Sequence, residues 1–95
     1  MAERLTDDEI QRGLEGSQWR RDGDAIVRDT KLEDFAAAMG FANAVAALAE
    51  AANHHPDILI HGWNKVRLTL STHSEGAITQ ADRDLAAGID GLGVG

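Results

Sequence analysis

Between Leu32 and Asn53 the chain holds no proline and a single glycine, Gly40, in a run rich in alanine. No other stretch limits the possible folds as much. Alanine is the strongest helix former, and proline and glycine are the residues that interrupt helices, so this composition predicts one long helix. At 1.5 Å per residue it would run roughly 30 Å. Projected at 100° per residue, Phe35, Met39, Ala42, Ala46 and Ala49 form one stripe, and Phe41, Val45, Leu48 and Ala52 a second. The remaining arc holds only small residues, Ala37, Gly40, Ala44, Ala47 and Ala51, and after the first turn only Asn43 and Glu50 are polar. A helix apolar nearly all round is buried on more than one side. A chain of 95 residues makes one domain without room for a second core. It cannot cover such a helix alone, so a homodimer or homotetramer with the 35–52 helix at an interface is expected.

The other elements follow from local signals. Thr6 with Glu9 reads as a capping box, and Leu5 with Ile10 as a hydrophobic staple, opening a helix that ends near Gly16. Residues 17–32 read as two short strands around the turn Asp22-Gly23-Asp24. After Pro56 the period changes. Asp57 to Trp63 reads as a strand, and the next run alternates, with Val66, Leu68 and Leu70 on one side and Lys65, Arg67, Thr69, Ser71 and His73 on the other. The last helix opens at Thr79, places Asp82 at its third position and aligns Leu85, Ile89 and Leu92, while Gly91, Gly93 and Gly95 fray its end. The order helix, strand, strand, long helix, strand, strand, helix implies a single α+β domain over residues 1–95. Its four-stranded antiparallel sheet would carry the helices on one face.

Charge and composition exclude several function classes. A net charge of −7 with scattered Lys and Arg argues against nucleic acid, whose phosphates are bound by clustered cations. The one local doublet beside an aromatic, Trp19-Arg20-Arg21, reads as a solvated strand face. The absence of cysteine excludes disulfides and thiolate metal sites. No apolar run approaches the ~20 residues of a membrane span and the start does not resemble a signal peptide, so a cytoplasmic protein without a membrane segment is expected.

Chemistry concentrates in Glu50-Ala-Ala-Asn53-His54-His55-Pro56. Glu50 and His54 are four apart, hence on one helix face, where a carboxylate holds an imidazole in one tautomer and stabilises its protonated form. Pro56 disfavours helical geometry at His55, which stops the helix and splays the two rings. His73 shares the polar face at the end of a strand. On the residues alone, the histidines read equally as ordinary surface or core side chains, Glu50 as a solvated helix residue and Asp82 as a helix-start carboxylate. An acid–base site and a metal site both remain open, but adjacent histidines at a helix end point apart and no HxxxH or HExxH pair exists, a poor match to known ligand sets.

The string from Glu50 to Pro56, followed by Trp63 and then Asn64-Lys65-Val66-Arg67-Leu68-Thr69-Leu70-Ser71-Thr72-His73, resembles the pterin-4a-carbinolamine dehydratase family. The matching positions are Glu50, His54, His55, Pro56, Trp63, His73 and Asp82. The long helix and the first hairpin, with Trp19 and Gly23-Asp24-Ala25-Ile26, extend the likeness to about residues 17–90. Two departures are visible: six residues separate Pro56 from Trp63 where five are usual, and the aromatic is tryptophan where tyrosine is frequent. His61 falls in that longer stretch, matches no motif position and is taken as structural.

The resemblance implies elimination of water from 4a-hydroxytetrahydrobiopterin to give the quinonoid dihydropterin, in recycling of the tetrahydropterin left by an aromatic amino acid hydroxylase. It implies His54, His55 and His73 as catalytic imidazoles, Glu50 orienting His54, and Asp82 as a supporting carboxylate. Substrate contacts would come from Asn53, His54, His55, Trp63, Ser71, Thr72, His73 and Ser74, with no metal and no organic cofactor. Some relatives act instead as binding or assembly factors, one with a homeodomain transcription factor and others with a carbon-fixing enzyme. A non-catalytic scaffold is therefore the alternative.

Overall fold

Capping side chains set where the helices begin. The computed structural model describes residues 3–94. The first helix, α1 (Asp7–Leu14), opens on Thr6, whose Oγ1 accepts the Glu9 N–H at 3.1 Å while Glu9 Oε1 accepts the Thr6 N–H at 2.9 Å. Those bonds from the Thr6 backbone and side chain hold the Glu9 carboxyl below its ordinary range. The long helix, α2 (Phe35–Ala52), begins three residues later than Leu32 because Asp34 caps it, accepting the Ala37 N–H at 2.7 Å. The last helix, α3 (Gln80–Asp90), repeats the capping box with Thr79 and Asp82.

Four strands complete the chain: β1 (Trp19–Asp22), β2 (Ala25–Lys31), β3 (Asp57–His61) and β4 (Lys65–Leu70). They form one antiparallel sheet in the order β1-β2-β4-β3. Gly23, at φ 62°, starts the two-residue β1–β2 turn, where a left-handed first position suits the twist of a hairpin. Both later strands stop earlier than their patterns predict. β3 ends at His61, because Asn64 is buried against Leu32: its Nδ2 donates to the Leu32 carbonyl at 3.0 Å and its carbonyl accepts the Leu32 N–H at 2.7 Å. Gly62 and Trp63 therefore turn the chain with φ of 55° and 60°. β4 ends at Leu70, because Thr72 and Ala77 close a tight turn, with the Thr72 N–H donating to the Ala77 carbonyl at 2.9 Å. Ser71 and His73 thus follow the strand and do not share its face.

Alternation places Ile26, Arg28 and Thr30 of β2 and Val66, Leu68 and Leu70 of β4 under the helices. Of these, Ile26, Val66, Leu68 and Leu70 join Ile10, Trp19, Ala38, Phe41, Val45, Ala49, Ile78, Leu85, Ala86 and Ile89 in one hydrophobic core. Leu92 does not join its expected row. α3 stops at Asp90 and Leu92 is exposed, with Gly93 at φ 71° beyond it. Gly95, expected to fray, lies outside the described residues.

A buried cation ties this core together. Arg28 is 1% exposed; its guanidinium bonds Asp90 Oδ1 at 2.9 Å, Gln18 Oε1 at 3.2 Å and the Val94 carbonyl, and lies 5.6 Å from the centre of the Phe41 ring. Asp90 Oδ1 also accepts the Trp19 indole N–H at 3.0 Å. A buried charge must be paired to be tolerated, so β1, β2 and the end of α3 are locked to one another.

The helix α2 presents two unlike faces. Ala38, Phe41, Ala42, Val45 and Ala49 are buried, while Phe35, Ala36, Met39, Gly40, Asn43, Ala46, Ala47, Glu50 and Ala51 are exposed. Only Asn43 and Glu50 of that exposed arc are polar. Contrary to the expectation that no apolar run approaches a membrane span, its 18 residues and mean hydropathy of 1.5 meet that length and apolarity, but Phe41 and Val45 seat it on the sheet as a core helix.

Candidate active site

The C-terminus of α2 decides where the two adjacent histidines go. Asn53 adopts the left-handed conformation, φ 50° and ψ 42°. The His54 N–H reaches back to the Ala49 carbonyl at 3.1 Å and the Asn53 N–H to the Glu50 carbonyl at 3.2 Å. This is a Schellman closure, with asparagine at the position usually held by glycine. It ends the helix one residue before His54, so the i,i+4 relation that places Glu50 beside His54 does not apply. Glu50 instead pairs with His55, Oε2 to Nε2. Orientation of His54 by Glu50 is thereby corrected.

His54 turns to α3. Its Nε2 lies 2.6 Å from Asp82 Oδ1, and its side chain is mostly buried. Asp82 is wholly buried and accepts two further bonds at Oδ2, from the Thr79 N–H and the Thr72 hydroxyl, both at 2.9 Å. The Thr72 and Thr79 hydroxyls are themselves 2.7 Å apart. Facing an ionised carboxylate, which only accepts, Nε2 would carry the hydrogen and Nδ1 would be the free ring nitrogen. The same reasoning holds for His55, exposed beside an exposed Glu50. Two neighbouring imidazoles are thus each pinned at Nε2 by a different carboxylate.

An open cleft of about 410 Å³ adjoins His54 between α2 and α3, walled by Leu48, Ala52, Leu85 and Gly88 and edged by Asp84. It offers an apolar floor beside one imidazole. The remaining expected residues fall in four places. His73 and Ser74 are exposed in the turn after Thr72, so His73 follows the residue that bonds Asp82. Ser71 Oγ donates to the Asp24 carbonyl at 2.7 Å and ties β4 to the first turn. Asn53 is exposed at the helix end. Trp63 is not brought to the histidines within one chain: it is 62% exposed in the β3–β4 turn, at the far end of β3 from Pro56.

Thr79 is the site residue that sequence reasoning treated only as a cap. The signal was present, since the Thr79…Asp82 capping box predicts the bond that aims Asp82; what was hidden is that Asp82 faces His54. Among the described residues no group of three or more His, Asp or Glu side chains is placed to hold a metal ion.

The family model described as pterin 4 alpha carbinolamine dehydratase matches residues 3–92. A Natronomonas pharaonis protein provisionally named a pterin-4-alpha-carbinolamine dehydratase is 51% identical over 97% of this chain and 98% of its own length. One from Roseiflexus sp. strain RS-1 with the same provisional name is 50% identical over 95% and 97%. Among solved structures, a transcriptional coactivator/pterin dehydratase from Brucella melitensis superposes with a TM-score of 0.88 at 34% identity, covering 95% of this chain and 98% of that one. A pterin dehydratase-like protein described as a RuBisCO assembly factor in the alpha-carboxysome gives 0.62 at 27% identity, over 78% and 84%.

Proposed function

Since the chain belongs to the pterin 4 alpha carbinolamine dehydratase family, we propose that it dehydrates a 4a-hydroxytetrahydrobiopterin to the quinonoid dihydropterin by histidine acid–base catalysis. In this elimination the C4a–O bond breaks, and its electron pair leaves with an oxygen that takes up a proton to depart as water. The proton on N5 is removed, and its bonding pair becomes the N5–C4a double bond. An imidazolium supplies the first proton and a neutral imidazole accepts the second. Imidazole suits both because it titrates near neutrality.

The observation that carries this reading is the pair of carboxylate-pinned imidazoles, His54 on Asp82 and His55 on Glu50. Each has Nε2 committed and Nδ1 available for transfer. His73, one residue beyond Thr72, is the third imidazole of the set. Asn53, Ser71, Thr72 and Ser74 would contribute substrate contacts, and Trp63 would do so only from a neighbouring subunit. The apolar exposed arc of α2 supports a homodimer or homotetramer, and the protein is assigned to the cytoplasm, working downstream of an aromatic amino acid hydroxylase. The deciding experiment is a stopped-flow assay of 4a-hydroxytetrahydropterin dehydration by the purified chain. A rate no faster than the buffer's spontaneous reaction would overturn the enzyme reading. The alternative, a binding or assembly role, is favoured by that same apolar arc and by the likeness to the assembly factor.

A further inference from the structure

The sheet face away from the helices carries charges that the dehydration site does not use. At one end of it, Lys31 of β2 stands directly opposite Lys65 of β4, and Lys65 directly opposite His61 of β3. Directly opposite side chains have Cβ atoms about 4.5–5.5 Å apart, and like charges there destabilise a sheet. The neighbouring cations are compensated: Arg67 and Arg20 both bond Asp29, at 2.7 Å each. Among the described residues neither lysine nor His61 has an ion-pair partner. This is a chain with seven acidic residues in excess, yet among the described residues no carboxylate is ion-paired to Lys31, Lys65 or His61.

The row is also concave. Lys31, His61, Lys65 and Arg67 line an open cleft of about 320 Å³ with Asp29 and Thr30. Asp29 is already held by two arginines, and Thr30 Oγ1 is buried on the helix side. Its cations without an ion-pair partner are therefore Lys31 and Lys65, with the His61 imidazole beside them. From this arrangement we propose a second site, for a small phosphate-bearing ligand, held by Lys31 and Lys65 with His61 at its edge. A phosphate monoester carries about −1.5 to −2 charges at pH 7, which matches two lysines, and lysine binds phosphate as a point charge. The site goes beyond the dehydratase reading and, within one chain, lies apart from its histidines. About 13 Å of strand lies between His61 and Asp57, the residue after Pro56.

Titration of the full-length chain with inorganic phosphate and with pyrophosphate, at ionic strength held constant with sodium chloride, tests the site by amide NMR shifts and by Trp63 fluorescence. Saturable shifts confined to the ends of β2, β3 and β4 are expected, and Lys31→Glu should weaken binding at least about tenfold. Without ligand Lys31→Glu should raise the melting temperature, because it turns a like-charge pair into an opposite-charge one. It should leave the dehydration rate unchanged, which separates failure of this site from failure of the catalytic reading. Non-saturating shifts spread over all basic residues, equal binding by Lys31→Glu, or a melting temperature lowered by that substitution would each overturn the proposal.

Discussion

The Asp82 carboxylate, with no exposure to solvent, accepts from Thr79 and Thr72 and meets His54 Nε2 at 2.6 Å, so the group that caps a helix also holds an imidazole. Asp82→Asn keeps the shape but presents an amide to Nε2, which favours the wrong tautomer. It should lower the dehydration rate at least about tenfold, with circular dichroism showing the fold retained. His54→Ala and His73→Ala should each cost about 10²–10⁴-fold before correction for the spontaneous reaction. His55→Ala should weaken pterin binding at least as much as it slows turnover. Glu50→Gln should be milder, acting through His55. His61→Ala should leave dehydration untouched, because it sits at the opposite end of β3. Steady-state kinetics on the set decides. Full activity in both His54→Ala and His73→Ala would remove the acid–base assignment and favour the scaffold.

At the scale of elements, the β3–β4 turn and the open sheet face give separate tests. Trp63 holds φ at 60°, a region that costs a bulky L-residue about 1–2 kcal/mol and that asparagine tolerates. Trp63→Asn should therefore stabilise the chain by about 1 kcal/mol, a rise of roughly 4–8 °C in Tm for a domain of this size, measured by thermal melting. On the open face Asp29 joins β1, β2 and β4 through Arg20 and Arg67. The hydrogen bond from Arg67, seconded by Arg20, holds the Asp29 carboxyl below its usual range. A carboxyl with a depressed folded-state value contributes stability above its unfolded value, near pH 4, and loses it as pH falls through the lower folded value. Asp29→Asn should therefore lower Tm at pH 7, and the gap from the parent should close as pH falls through the depressed folded-state value. The loss will be small, because the pair is half-exposed and screened. A gap that persists in acid would show the asparagine to be acting through packing.

For the whole molecule, the exposed arc of α2 asks for a cover. Phe35 is 55% exposed and Met39 40%, and a side chain at Gly40 would meet open space. Ala44 is half-buried within the chain, so a substitution there mixes folding with association; Ala47, exposed in the middle of the arc, is the cleaner position. Sedimentation should find a dimer or tetramer, and Ala47→Glu should dissociate it, since a charge enclosed in an apolar interface lacks the water it needs. A 10.2 kDa species alone at micromolar concentration would refute association. A variant that stays associated would move the interface off this helix.

What the chain encodes locally could be read directly. Thr6 with Glu9, Thr79 with Asp82 and Gly23 act over one to three residues. The alternation of Val66, Leu68 and Leu70 has only one sheet face to choose. Element order and α+β class followed from such signals. Tertiary structure decided the pairings. Glu50 and His54 suited each other by helical spacing, but a single left-handed residue, Asn53, rotates His54 off the helix and toward a carboxylate 28 residues away. His73 left its strand because Thr72 turns back to Ala77, and β3 lost Trp63 because Asn64 is claimed by Leu32. A buried hydrogen-bond group must find a partner wherever the fold supplies one, and that partner is not written in the spacing of the residues that need it.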